Sequence, residues 1–219
     1  AQLVKKYMQK GIKFVLLDQM LSNVESPGIH YDSRAGARMA VEHLISQGHK
    51  KIAFATTSLV RFTRTEIYKG YQEALMTAGL PCLPELLYEC AISKVGRGSD
   101  YELNIGRQIA GQFIADGCPA TAVLCINDMV AIGLIQTLVQ NNVKVPEDVS
   151  VIGFDDIPLS RYTTPPLTTV RQNRTELGKS AFYALTSLMN SVPISTLLLH
   201  AELIVRESSG PAPGAPLSP

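Results

Sequence analysis

The sequence predicts an α/β fold built on parallel strands, from three observations. Strand-like apolar runs alternate with amphipathic helical stretches along almost all of the 219 residues. The strongest runs, 14–17, 121–126 and 149–154, are almost wholly apolar, as in strands buried on both faces of a parallel sheet. Each run ends abruptly on polar residues: Asp18, then Asn127 and Asp128, then Asp155 and Asp156. In open α/β sheets, ligands gather at the carboxyl ends of such strands. Asp155 therefore either faces a ligand there or simply starts the next turn, a common place for Asp.

Taken in order, residues 1–10 carry Leu3, Val4, Tyr7 and Met8 on one helix face, and Gly11 stops that helix. The run 14–17 follows, then a short extended piece, 28–31, after a Ser-Pro-Gly turn. Asp32 or Ser33 caps a helix to about Gln47. Its apolar residues Ala37, Ala40, Val41, Leu44 and Ile45 share a face, and Gly48 ends it. A strand over 51–56 leads to a helix over 66–78, with Ile67, Tyr71, Ala74 and Leu75 inward. A weaker strand spans 86–91, a polar loop 93–100, and a helix 101–115. After the strand 121–126, Asn127 and Asp128 are N-cap candidates for a helix burying Val130, Ala131, Leu134, Ile135 and Leu138. The central strand 149–154 comes next, then a short strand 168–171, a helix 175–189 and one extended segment 197–205. Residues 208–219, rich in Ser, Pro, Gly and Ala, have the composition of a disordered tail.

Composition excludes several classes. The net charge of +1 argues against these residues being an electrostatic partner for nucleic acid by themselves. No apolar run reaches membrane-spanning length, and residues 1–10 lack a signal-peptide apolar region. The four cysteines form no CxxC pair, and Cys118 and Cys125 lie in or beside core elements, which fits reduced thiols and a cytoplasmic location. The four histidines show no metal-ligand spacing. There is no GxSxG elbow, phosphate loop or GxGxxG fingerprint, so neither an enzyme nor a cofactor is expected. Adjacent acids at a strand end point in different directions, which argues against a Mg²⁺ site at Asp155 and Asp156.

If the strand ends share one crevice, Asp18, Asn127 and Asp155 converge there, and carboxylates with an amide suit a polyhydroxylated ligand such as a sugar. Arg61 and Arg64, in the loop after Thr56-Thr57-Ser58, either bind a carboxylate or phosphate on that ligand or are solvated loop charges. Tyr31 and Tyr101 either stack on a ring face or serve the core.

Several segments together resemble the effector-binding core of the lactose/galactose repressor (LacI/GalR) family. They are Phe14-Val-Leu-Leu-Asp18, the stretch from Gly36 to Phe54 containing Val-Glu-His-Leu and Gly-His-Lys-Lys-Ile-Ala, and Gly70-Tyr-Gln-Glu-Ala-Leu75. The stretch from Ala122 to Gly133, Val149 to Asp156, Pro165 to Gln172 and Leu203 to Ser208 complete the set. They follow the family's order at close to its spacings. The resemblance implies a periplasmic-binding-protein-like (type I) fold, in which two doubly wound parallel-sheet subdomains hold an effector in the cleft between them. By position it implies pocket roles for Asp18, Tyr31, Tyr101, Asn127 and Asp155, and places Arg61 and Thr63 in a loop that contacts the effector in some members. Two departures affect the effector's identity. Ile67 stands where the family has a ligand-holding arginine, with Arg64 one turn earlier. Arg174 stands where some sugar-binding members have an aromatic residue, which favours an anionic ligand.

The resemblance also implies a division into residues 32–171 with 201–210 as the C-terminal subdomain, and 1–31 with 172–200 as an incomplete N-terminal one, followed by a disordered tail, 211–219. The family's helix-turn-helix has no counterpart here. The expectation is an N-terminally truncated sensing domain of a transcription regulator. Its effector is a sugar or a sugar acid or phosphate, operator DNA is reached only through the absent N-terminal domain, and the intact protein is a cytoplasmic homodimer with no membrane partner. The alternative expectation is a periplasmic sugar-binding receptor of a transport system.

Overall fold

The computed structural model describes residues 2–21, 26–91, 98 and 100–215, and within them the strands form two sheets. The larger sheet contains β3 (Ile52–Thr56), β4 (Leu87–Glu89), β5 (Ala122–Cys125), β6 (Ser150–Asp155), β7 (Thr168–Arg171) and β9 (Glu202–Ile204), in the order β4-β3-β5-β6-β7-β9. All its pairings are parallel except that of β9 with β7. The smaller sheet has β1 (Leu16–Leu17), β2 (Gly28–Tyr31) and β8 (Leu197–Leu199), all parallel, in that order. β3, β5 and all but the last residue of β6 are wholly buried, as their unbroken apolar runs require.

Helices α2 (Ser33–Ser46) and α3 (Phe62–Thr77) pack against each other, as do α4 (Tyr101–Ala115) and α5 (Asp128–Gln140). Strand order reverses direction at β3, between β4 and β5. Right-handed crossovers therefore put α3 on one face of the larger sheet and α4 with α5 on the other. Both helix pairs meet at glycines. A Cβ on Gly70 would lie 2.1 Å from the Arg34 carbonyl oxygen, and one on Gly133 would lie 2.0 Å from that of Leu103. Between these layers lies the main core, whose largest fully buried side chains include Phe54, Tyr71, Phe113 and Phe154.

The smaller sheet has a much smaller core of Ile29, Tyr31, Ala184 and Leu199. Helix α1 (Gln2–Met8) buries no residue fully, and only Val4 and Met8 of its apolar face are partly covered. Helix α6 (Arg174–Met189) buries only Ala184 and exposes Phe182, Tyr183 and Met189.

Four expectations need correction. Helix α3 begins at Phe62 rather than 66, so Arg64 and Thr63 are helical and not loop residues. Its N-cap, Arg61, makes no side-chain cap bond, and the Thr65 hydroxyl donates instead to the carbonyls of Leu59 and Arg61. The capping pattern that marks a helix start is thus absent from the sequence. The extended segment 197–205 splits at His200 and Ala201 into β8 and β9, which belong to different sheets. The run 14–17 pairs only at Leu16 and Leu17. Finally, residues 208–215 are ordered. Ser208 is fully buried and bonds Val151 and Thr168, and the Ala212 N–H donates to the Gln47 carbonyl. Composition suggested a tail, but the small Ser and Ala side chains fit the sheet edge and the Gly48 turn. Most of the expected 93–100 loop, and residues 216–219, lie outside the described residues.

Candidate functional site

A cavity of about 270 Å³ opens at the carboxyl ends of β1, β3, β5 and β6, where the two sheets face each other. It gathers six of the residues singled out in the sequence: Asp18, Arg61, Thr63, Arg64, Asn127 and Asp155. Gln19, Ile67, Glu102, Ile126, Phe154 and Gln172 complete the lining. Of these, Ile67 and Phe154 were legible as core residues and Gln172 as a crossing position. Glu102 gave no local signal, because it is one charge on an otherwise ordinary amphipathic helix.

Asp155 is the most perturbed group. It closes β6 with φ 113°, a conformation rare for a non-glycine residue and a cost of about 1–3 kcal/mol. The residue is partly exposed but its carboxylate is largely buried, and it has no hydrogen bond or ion pair among the described residues. Burial, with the nearby charge of Asp128, pushes its pKa up to about 7, against a smaller opposing pull from Arg174. Asp18, also at positive φ, is held by the Tyr31 backbone N–H, which donates to its Oδ1 at 2.9 Å. Asn127 accepts the Val130 N–H at 2.9 Å on Oδ1 as the cap of α5, which leaves its amide –NH₂ as the group able to donate to a ligand.

Arg64 is 7% exposed. Among the described residues its guanidinium makes long hydrogen bonds, 3.5 Å to Glu102 Oε1 and 3.4 Å to the Ser58 carbonyl, and also acts on the Tyr101 hydroxyl. It is therefore a buried, weakly engaged cation on the cavity wall and not a solvated loop charge. Its neighbour Ile67, one turn on, supplies apolar floor beside Phe154.

The second member of each strand-end pair turns inward. Asp128 is fully buried, accepting the Thr169 hydroxyl at 2.5 Å and the Ile157 N–H at 2.8 Å. Burial pushes its pKa up to about 7 despite those bonds. Asp156 is clamped by Arg206 at 2.5 Å and Arg171 at 2.7 Å. Burial opposes its ionisation, but the two arginines outweigh that and hold its pKa below the usual value.

Three expected site residues fall outside the lining. Tyr31 is 4% exposed and its hydroxyl donates to the Asn173 carbonyl at 2.6 Å, so it positions Asp18 instead of meeting the cavity. Tyr101 packs its ring on the main core and donates its hydroxyl to Glu102 at 2.9 Å, because adjacent helix positions point some 100° apart. Arg174 is an exposed first residue of α6, and reaches Asp155 only through its charge. Among the described residues, no group of three or more His, Cys, Asp or Glu could hold a metal ion. No described helix is long and apolar enough to cross a membrane.

Two sheets of parallel strands with a polar cleft at their carboxyl ends are the layout of a periplasmic-binding-protein-like domain. The family model for the periplasmic binding protein-like domain matches residues 41–209, and the chain belongs to that family. More particularly, it is similar to LacI-family regulators. It is 35% identical over 216 residues to the HTH-type transcriptional regulator MalR of Streptomyces coelicolor, covering 97% of this chain and 60% of that protein. The crystal structure of the transcription regulator CcpA of Lactococcus lactis superposes with a TM-score of 0.82 at 31% identity, covering 95% of this chain and 74% of that one. A LacI-family regulator from Enterococcus faecium with bound ribose gives a TM-score of 0.82 at 27% identity, covering 94% and 74%. The chain thus spans about 60% of the length of the curated relatives it matches. Those relatives are named as transcription regulators and not as enzymes.

Proposed function

We propose that this chain is the effector-sensing part of a LacI-type transcription regulator, binding a sugar, sugar acid or sugar phosphate in the cleft. The single observation that carries this is Asp155: a strained, largely buried carboxylate without a hydrogen-bond or ion-pair partner among the described residues, lining one cavity with Asp18 and Asn127. A strained residue with its hydrogen-bonding capacity unspent is what a polyol hydroxyl satisfies. Arg61 and Arg64 receive an acidic substituent if the ligand has one, and Ile67 with Phe154 covers its apolar face. The relatives are named HTH-type transcriptional regulators, so in this reading a helix-turn-helix would carry the contact with operator DNA. Binding energy that differs between two arrangements of the sheets would alter operator affinity through that helix-turn-helix, in a cytoplasmic homodimer. Relatives named as regulators favour this over a transport receptor.

The test is calorimetric titration of ribose, maltose, cellobiose, gluconate and glucose 6-phosphate into the wild-type chain and Asp155→Ala. A bond to a charged group contributes about 1.5–3 kcal/mol, so a true ligand loses roughly 10- to 150-fold in affinity in the variant. Equal affinity in both proteins removes Asp155 from the site.

A further inference from the structure

The described lining of the cleft carries five charged groups, the carboxylates of Asp18, Glu102 and Asp155 and the guanidiniums of Arg61 and Arg64. Arg61 is exposed, so Arg64 is the buried cation of that wall. Its ion pair is with Glu102, Nη2 to Oε1 at 3.5 Å, and among the described residues no other two of these five groups are paired. Its contact with the Ser58 carbonyl brings no charge. Glu102 does not hang free beside it. The same Oε1 accepts the Tyr101 hydroxyl at 2.9 Å, and the Tyr101 ring packs on the main core. A tyrosine anchored in the core thus holds the carboxylate at the arginine, while Glu102 Oε2 has no hydrogen bond among the described residues.

We propose that Glu102 is a specificity-determining residue of the cleft: by engaging Arg64 it makes the site select a neutral polyhydroxylated ligand and refuse an anionic one. This rests on reading the cavity as the effector site, and narrows that reading. An anion leaving water needs a cation to replace its hydration. The buried cation is already neutralised by a carboxylate that Tyr101 keeps in place. Asp18 and Asp155 line the same cavity, and the charges of Glu102 and Asp18 both oppose the ionisation of Asp155. Negative charge is therefore crowded there, and a further one is repelled. Neutral hydroxyls meet no such cost. They donate to carboxylate oxygens such as Glu102 Oε2, and accept from Arg64 and the Asn127 amide. Arg174, whose charge would favour an anion, stands outside the lining.

Inorganic phosphate is the probe, since it presents an anion without a sugar skeleton. Glu102→Gln keeps the length of the side chain and an oxygen for the Tyr101 hydroxyl, and removes the charge. Calorimetric titration of phosphate at one neutral pH should show saturable binding by Glu102→Gln. Binding by the wild-type chain should be roughly 10- to 150-fold weaker, the factor a hydrogen bond to a charged group contributes. Arg64→Met added to Glu102→Gln should abolish the phosphate binding again, which places the anion at Arg64. Equal phosphate affinity in wild type and Glu102→Gln, no phosphate binding by Glu102→Gln, or binding that survives Arg64→Met overturns the proposal. Glu102→Ala gives the same contrast should Glu102→Gln fail to fold. A panel of neutral sugars that binds neither protein removes the effector reading instead, because the phosphate contrast needs no sugar and decides the role of Glu102 by itself.

Discussion

Replacing Asp155 by Asn should stabilise the chain, and by an amount that depends on pH. The carboxyl titrates near 7 in the folded protein against an ordinary value of 3.8, because burial and Asp128 disfavour its charge. Below the ordinary value both states are protonated and the group costs nothing. As pH rises from there the unfolded chain ionises first, so folding stability is lost progressively until the folded carboxyl also ionises. About three pKa units at about 1.36 kcal/mol each set an upper bound near 4 kcal/mol. Relaxation and solvent entering the open cavity screen part of it, so we expect about 2–4 kcal/mol at about pH 8 and about 1.5 or less at about pH 5. Asn keeps the volume and tolerates positive φ, so no compensating backbone strain is added. Asp128 titrates in the same range, which makes the wild-type profile a sum of two groups. The variant-minus-wild-type difference isolates Asp155, apart from their mutual coupling. Urea unfolding of both proteins across this pH range gives that difference. A gap that does not change with pH, or an Asn variant less stable at about pH 8, would refute the assignment of a costly charge at this strand end.

Three further substitutions test the frame. Gly133→Ala drives a Cβ to 2.0 Å from the Leu103 carbonyl oxygen, where backbone must shift, and should cost about 1–3 kcal/mol or more. Gly111→Ala, on the exposed side of α4 with nothing within 4 Å, should instead gain about 0.5–1 kcal/mol, and urea midpoints distinguish the two. Asp156→Ala strands Arg171 and Arg206 around a carboxylate that is 2% exposed, and should cost about 3–5 kcal/mol at neutral pH. Because those arginines hold its pKa down, its stabilisation is present above the ordinary carboxylate range and lost as pH falls below it. Acid unfolding curves of wild type and Asp156→Ala should therefore converge, and curves that stay parallel would count against the clamp.

What was legible in the sequence were features with a local cause. Unbroken apolar runs mark β3, β5 and β6, and a side-chain cap with a following glycine marks α2. Strand-end polarity brought Asp18, Asn127 and Asp155 together correctly, because parallel strands put their carboxyl ends at one edge. What was not legible depended on tertiary choices. Leu197–Leu199 and Glu202–Ile204 look like one strand, yet two intervening residues transfer the chain between sheets. Tyr31 and Tyr101 carry the residue type of a stacking platform, but their hydroxyls are spent on the Asn173 carbonyl and the Glu102 carboxylate, and neither ring lines the cavity. Glu102 enters the cavity only because α4 delivers it beside Arg64. Nor does any spacing announce that Ser208 slots between Val151 and Thr168, since its burial is fixed by two hydrogen bonds rather than by hydrophobicity.

The paired polar residues at the strand ends divide their labour in a way that joins binding to folding. In Asn127-Asp128 and in Asp155-Asp156 the first member faces the cavity and the second turns inward. The inward members do not brace the strands they end. Asp128 holds Ile157 and Thr169, and Asp156 holds Arg171 and Arg206, so both grip β7 and the segments beside it in the larger sheet, and Arg171 adjoins one crossing to the smaller sheet. Arg171 is the last residue of β7, directly before the cavity residue Gln172. A ligand that pulls on Asp155 therefore acts one peptide away from the clamp on the crossing that follows β7. Substitutions in the cleft should thus trade binding for stability, whereas substitutions in the clamp should lose both.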